Sequence, residues 1–244
     1  MNLQNKIEVL PFRVRPVRDQ NDLTKAVFMR QTAYERHIPL FASTLKTPES
    51  SDMDYGVVVL LAESKLDGSC LGTMRIQTNQ FHPLALEKSV TLPDGLRSER
   101  LAEATRFGVA SGKAGHLVNI ALFKAFYLLC KNIAIDSMVI AGRAPLDRIY
   151  QRLLFKEVFP GQGYVELRHA GNMPHRIMSL SVNHALELWE TAQHPLLDFV
   201  VHTQHPDMEF EFSELPVLQF LGADRRSQPD TRRVWRESAS AQVH

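Results

Sequence analysis

Residues 101–109, Leu-Ala-Glu-Ala-Thr-Arg-Phe-Gly-Val, run through a small-residue turn at 111–115 into a helix at 116–132 that is apolar nearly all round. This pairing restricts the fold more than any other stretch. A helix without a polar face has to be covered on every side, and the strand that feeds it ought to be buried on both of its own faces. A helix packed on a sheet satisfies both demands. The strand nevertheless carries an acid and a base, Glu103 and Arg106, and charged groups are expensive in such a place unless they have partners or a task.

Regular alternation puts Ala102, Ala104, Arg106 and Gly108 on one face and Leu101, Glu103, Thr105, Phe107 and Val109 on the other. On that reading Glu103 and Arg106 point apart and each needs its own partner. Asp52 or Asp54 is the acid proposed for Arg106. Desolvation raises the pKa of a carboxyl held in an apolar strand, unless a neighbouring arginine holds it down. Either way such a group suits general-base work on an amine.

Around this unit the pattern reads as a mixed α/β chain. A strand at 12–19 alternates apolar and basic residues up to Pro16, as an edge strand can. Asn21 or Asp22 caps the next helix, where Leu23, Val27, Arg30, Tyr34 and Ile38 form one stripe. Arg30 therefore sits among buried positions. Either its stem packs while the head snorkels out, or the head meets an anion in a cleft. Asp52 and Asp54 are turn residues, or they bind an ammonium or orient an arginine. Strands at 56–63 and 70–78 form a hairpin around Asp67-Gly68, and Arg75 falls on its polar side. After a long connection and the 101–132 unit come a strand at 136–141 and a helix from Pro145 to about Phe155. Arg148, Arg152 and Lys156 repeat every four residues there, as a solvated face or as a dock for an acidic partner. Two antiparallel strands, 164–169 and 176–182, and a helix at 183–191 follow. A short helix and a further strand at 209–212 lie within 195–219. The order predicts a crossover connection after each of the fourth and fifth strands. Residues 1–200 form the main domain, and 201–244 form an extension whose arginine-rich end from Gly222 reads as mobile.

Bulk properties exclude several classes. The net charge is +1, so no global argument for nucleic acid exists. The apolar runs are shorter than the ~18–20 residues a membrane span needs, and no signal-peptide core interrupts the charged start. Two cysteines, Cys70 and Cys130, are too few for a disulfide framework and read as buried thiols in a cytoplasmic protein. His202-x-x-His205 has no third ligand nearby, so no metal is expected. Nucleophile-elbow, phosphate-loop and zinc-protease motifs do not occur. The remaining set is Arg30, Asp52, Asp54, Arg75, Glu103 and Arg106. It suits binding a zwitterion and moving a proton, and a thioester needs no nucleophilic side chain if an amine attacks it directly.

This order of elements resembles the GNAT N-acyltransferase fold, a three-layer α/β/α arrangement. Arg30-x-x-x-Tyr34, Asp52/Asp54, Gly72-Thr-Met-Arg75 and Glu103-x-x-Arg106-Phe107 follow the order seen in LuxI-type acyl-homoserine-lactone synthases. In detail the chain is more similar to the sister family of long-chain N-acyl amino acid synthases. Shared with them are the strand at 102–109 and the Leu-Phe-Lys-x-x-Tyr-x-x-Cys helix at 122–130. The acidic pair is more closely spaced than in the lactone synthases, and their loop tryptophan has no counterpart. The resemblance spans about residues 12–182.

It implies an acyltransferase that moves a fatty acyl group from acyl carrier protein to the amine of an amino acid. Glu103 would be the general base. Arg106 and Arg75 would orient the acids or bind the acceptor carboxylate. Arg30, Tyr34, Asp52 and Asp54 would shape the acceptor side, with Phe107 and Val109 lining the substrate. Val109 stands where the usual GNAT pyrophosphate loop begins with Arg or Gln. That points to the acyl-phosphopantetheine arm of acyl carrier protein as donor, with no tightly bound cofactor. The acidic carrier would dock on Arg148, Arg152 and Lys156. The alternatives are an acyl-homoserine-lactone synthase using S-adenosylmethionine and a non-catalytic module binding a carrier or lipid. Chain length, acceptor identity and oligomeric state stay open.

Overall fold

The computed structural model describes residues 6–210; the arginine-rich end and residues 211–219 lie outside them. The chain begins with β1 (Lys6–Ile7) and the edge strand β2 (Phe12–Pro16), then α1 (Gln20–Glu35). The cap of α1 is Asp19, whose carboxylate accepts from the Asp22 backbone N–H. Asp22 itself is buried and paired with Arg15. A one-turn α2 (Pro39–Ala42) and the hairpin β3 (Val57–Ser64) and β4 (Cys70–Thr78) follow. A single turn, α3 (Asp94–Arg97), leads to β5 (Leu101–Val109) and the long α4 (Lys113–Asn132). Then come β6 (Ser137–Gly142), α5 (Asp147–Arg152), β7 (Lys156–Glu157), β8 (Val165–Leu167), β9 (Met173–Ser181) and α6 (Val182–Thr191). The last described strand, β10 (Thr203–Gln204), pairs with β1.

The main sheet runs β2-β3-β4-β5-β6-β9-β7, with β8 on β9. Only β5 and β6 pair in parallel, and α4 makes the crossover between them. The second expected crossover is present too: α5 carries the chain from β6 to β7, which runs parallel to β6 with β9 antiparallel between them. The helix expected from Pro145 to about Phe155 is a six-residue α5. Leu146 and Ile149, expected on its apolar face, are exposed, and Lys156 has left the helix for β7. The stretch at 209–210 is not a strand; instead Glu209 N–H reaches the Val14 carbonyl and covers the free edge of β2.

Three layers result. On one side α4 and α6 cover Val14, Leu60, Ile76, Ala102 and Met138. On the other, α1 packs Leu23, Ala26 and Val27 against Val59 and Leu61. This is the order expected for an apolar helix covered on both sides. Inside α4, Lys124 is buried, and its ammonium donates to the Phe199 carbonyl at 2.9 Å. That bond ties the segment after α6 to the core.

Two features of β5 position the site. First, β5 and β6 pair only from Leu101↔Ser137 to Ala104↔Ile140. Beyond Ala104, β5 has no strand partner on that side. Second, α1 approaches β5 closely at Gly108, where an added Cβ would sit 2.9 Å from Ala33 Cβ and 3.4 Å from Arg30 Cα. A Gly108→Val substitution should therefore push α1 off the sheet. The expected loss is about 1–3 kcal/mol for overpacking, read as a lower midpoint in denaturant with unchanged slope.

Candidate active site

Five charged side chains meet between α1 and the sheet. Arg30 comes from the buried stripe of α1 and is fully buried. Its guanidinium donates to Asp52 Oδ1 at 3.0 Å, Asp52 Oδ2 at 3.1 Å and Glu49 Oε2 at 3.1 Å. Of the two alternatives for Arg30, the anion partner is the one realised. Glu49 and Asp52 sit at the start of a 3₁₀ turn, Ser50–Met53, where the Glu49 backbone N–H donates to Asp52 Oδ2. Arg75 is buried on β4 rather than solvated. It donates to Thr105 Oγ1, Glu49, Ser51 Oγ and Asp52 at 2.8–3.2 Å. Arg106 grips Glu49 with two bonds, at 2.6 and 2.7 Å, and donates to the His169 carbonyl at 2.9 Å. The Phe41 ring covers its guanidinium at 5.4 Å.

The acid of Arg106 is thus Glu49, which spacing in the sequence did not single out, and not Asp52 or Asp54. Asp54 makes no ion pair among the described residues, and its backbone carbonyl accepts from the Val57 N–H at 3.2 Å. Three guanidiniums face two carboxylates, leaving one positive charge in excess. Burial raises the Glu49 pKa, but the bonds and charges of Arg106, Arg75 and Arg30 outweigh it and bring it to about 2.

Arg106 also departs from simple alternation. Its φ is +51°, and the register between β4 and β5 slips from Arg75↔Thr105 to Thr73↔Gly108. This is a β-bulge, which gives one strand an extra residue. Its effect is to turn Arg106 toward α1, onto the face that carries Glu103 and Thr105. The two charges are therefore on one face, not opposite ones. A left-handed non-glycine residue costs about 1–2 kcal/mol, and here the bonds to Glu49 and His169 hold it. Phe107 and Val109 lie on the other face and pack toward α4, away from the charged cluster. Tyr34 reaches the cluster side, with its ring 5.7 Å from Phe41 and its hydroxyl pKa raised by burial.

Glu103 stands apart from the arginines. It is fully buried. Oε2 accepts the Leu86 backbone N–H at 3.2 Å, and Oε1 has no hydrogen bond. Desolvation pushes its pKa up to about 7, against the pull of the Leu86 N–H and of Arg75. Its nearest ionisable neighbour is His169, with Nε2 3.5 Å from Oε1. Burial and the two nearby arginines lower the His169 pKa to about 3, so the ring is neutral. Arg148, Arg152 and Lys156 are exposed. His202 faces Asp198 and His205 faces Lys124, so the two rings have separate partners. No helix among the described residues is long and apolar enough to cross a membrane.

No family model matches the sequence, and no curated protein matches it. Solved structures do. FeeM, an N-acyl amino acid synthase from uncultured soil microbes, is 18% identical, over 77% of this chain and 96% of its own, with a TM-score of 0.55. A candidate N-acetyltransferase from Lactobacillus plantarum is 13% identical over 71% of this chain and 99% of its own, with a TM-score of 0.50. At these identities the likeness is one of fold: the chain has the GNAT N-acyltransferase fold.

Proposed function

We propose that this chain is an N-acyltransferase that moves a fatty acyl group from an acyl carrier protein thioester to the amine of an amino acid. The observation that carries the reading is Glu103, a buried carboxyl with a pKa near 7 on the strand that parts from its parallel neighbour. The fold shared with FeeM supports the reaction class. In the reaction the acceptor ammonium gives a proton to Glu103. The free amine attacks the thioester carbon, the C–N bond forms as the C–S bond breaks, and the leaving thiolate takes the proton that the nitrogen sheds on becoming an amide. The excess positive charge of the arginine cluster suits an acceptor carboxylate. The 85–88 turn, through Leu86, and the 168–170 turn, through His169, close on buried Glu103, so substrate entry requires this cover to move. Exposed Arg148 and Arg152 beside exposed Leu146 and Ile149 suit an acidic carrier with an apolar rim.

The acidic pair held by the arginines is Glu49/Asp52, three residues apart. This wider spacing removes one distinction from the lactone synthases and keeps an acyl-homoserine-lactone synthase as the second reading. Incubation with acyl carrier thioester and a panel of amino acids should release free thiol and N-acyl product. A requirement for S-adenosylmethionine with release of methylthioadenosine would establish the second reading instead. No turnover with any acceptor would leave the fold without this activity.

A further inference from the structure

We infer that His169 is the positioning residue for Glu103, placed to donate its Nε2–H to the carboxylate when Glu103 ionises. This rests on the reading of Glu103 as the base. The geometry is specific. Glu103 Oε1 and His169 Nε2 are 3.5 Å apart, and both side chains are buried, at 0% and 8% exposure. Glu103 Oε1 makes no hydrogen bond, to the ring included, so at 3.5 Å from Nε2 it is an acceptor still open to a donor. On the far side of the imidazole, Nδ1 is buried and also unpartnered. The Ala85 backbone also bonds to the ring. The His169 backbone is anchored where its carbonyl accepts from Arg106. The side chain is thereby delivered to Glu103 by the same arginine that Glu49 holds.

The charged and titratable groups facing the pair are Arg75 from β4, Arg106 from β5 and His175 from β9. From the connection before β5 come the backbone groups of Leu86, which meets Glu103, and of Ala85, which meets both Glu103 and the His169 ring. Burial, and after it the charges of Arg106 and Arg75, keep His169 neutral, so Nε2 can carry the hydrogen and donate it. A donor to the ionised form lowers a carboxyl pKa. As a proton arrives from the substrate ammonium it binds Glu103, and Nε2–H releases its bond. No proton is lost or gained by the ring, and the site returns when Glu103 deprotonates.

The test is a carboxyl titration followed by NMR on protein labelled with ¹³C at glutamate, with the Glu103 signal assigned by its loss in Glu103→Gln. His169→Leu should move the Glu103 midpoint up by about one unit, the scale of one charge-assisted bond. His169→Gln, which keeps an N–H at the reach of Nε2, should hold it near the wild-type value. If His169→Leu does not fold, His169→Asn takes its place, since its shorter amide cannot reach Oε1. An unmoved midpoint in a folded variant lacking the donor would reduce His169 to a packing residue and overturn the inference. The titration needs no substrate, so it stands or fails separately from the acyl-transfer reading. Where turnover is measurable, the same shift should appear in the pH dependence of kcat/KM, with the His169→Gln profile restored.

Discussion

A Glu103→Gln variant is expected to lose about 10²–10⁴-fold of acyl transfer while becoming more stable than the parent at alkaline pH. Both effects come from one group. The folded pKa of about 7 lies above the ordinary carboxyl value of 4.5. The fold therefore favours the protonated acid. Below the unfolded pKa that contribution is fully present; it is lost as pH rises through 7. Ionising Glu103 in place costs up to about 3 kcal/mol by pH 8 or above. Glutamine keeps the shape, can still accept the Leu86 N–H, and never ionises. Denaturant midpoints at pH 5 and pH 8.5 should thus converge in the variant and diverge in the parent. In the parent, kcat/KM should rise with pH through an apparent pKa near 7, because the base works only when deprotonated. The variant's residual rate should lose that step. Full activity in Glu103→Gln, with an unchanged pH profile, would remove Glu103 as the base. Stability gained where activity is lost is the expected trade at a functional site.

Several of these features were legible in the residues. The i, i+4, i+7 stripe of α1 placed Arg30 among buried positions, and Arg30 is buried. The apolar helix at 116–132 called for cover on both sides, and α4 has it, although it starts at Lys113. The hairpin around Asp67-Gly68 formed where the turn chemistry put it. The failures are equally physical. Parity along β5 assumed a regular strand, and an arginine gives no warning of a left-handed bulge, because that conformation normally announces itself as glycine. Glu49 was passed over for Asp54, although a carboxylate three residues before Asp52 matches the spacing of a reciprocal cap at a helix start. His169 was read as the end of a strand. Nothing local distinguishes it, since its importance comes from a carboxyl 66 positions earlier in the chain. The helix after Pro145 was too long on paper because periodicity continued into residues that the sheet claimed for β7.

The second large effect is expected at Asp52. Its side chain is fully buried and receives both Arg30 and Arg75. Asp52→Asn should destabilise the protein by about 3–5 kcal/mol, because two guanidiniums are left in a dry place with Glu49 as their one remaining carboxylate. The cost lies in the stranded charges, not in the loss of attraction alone. A double change, Arg30→Met with Asp52→Leu, should therefore cost less than the sum of its single changes. Glu49 gives the network a pH signature of opposite sign to Glu103. Its folded pKa of about 2 is below 4.5, so its stabilisation is present above 4.5 and lost as pH falls toward 2. Acid unfolding should move to higher pH in Glu49→Gln. Chemical denaturation of the four proteins of the Arg30/Asp52 cycle measures the coupling directly. If Asp52→Asn costs under about 1 kcal/mol, the cluster is solvated in the folded protein and does not fix Arg106 in its bulge. A large loss, with strong coupling, makes the cluster the rigid wall against which β5 presents Glu103, and a flexible acceptor would then be held by arginines whose geometry is already paid for in the fold.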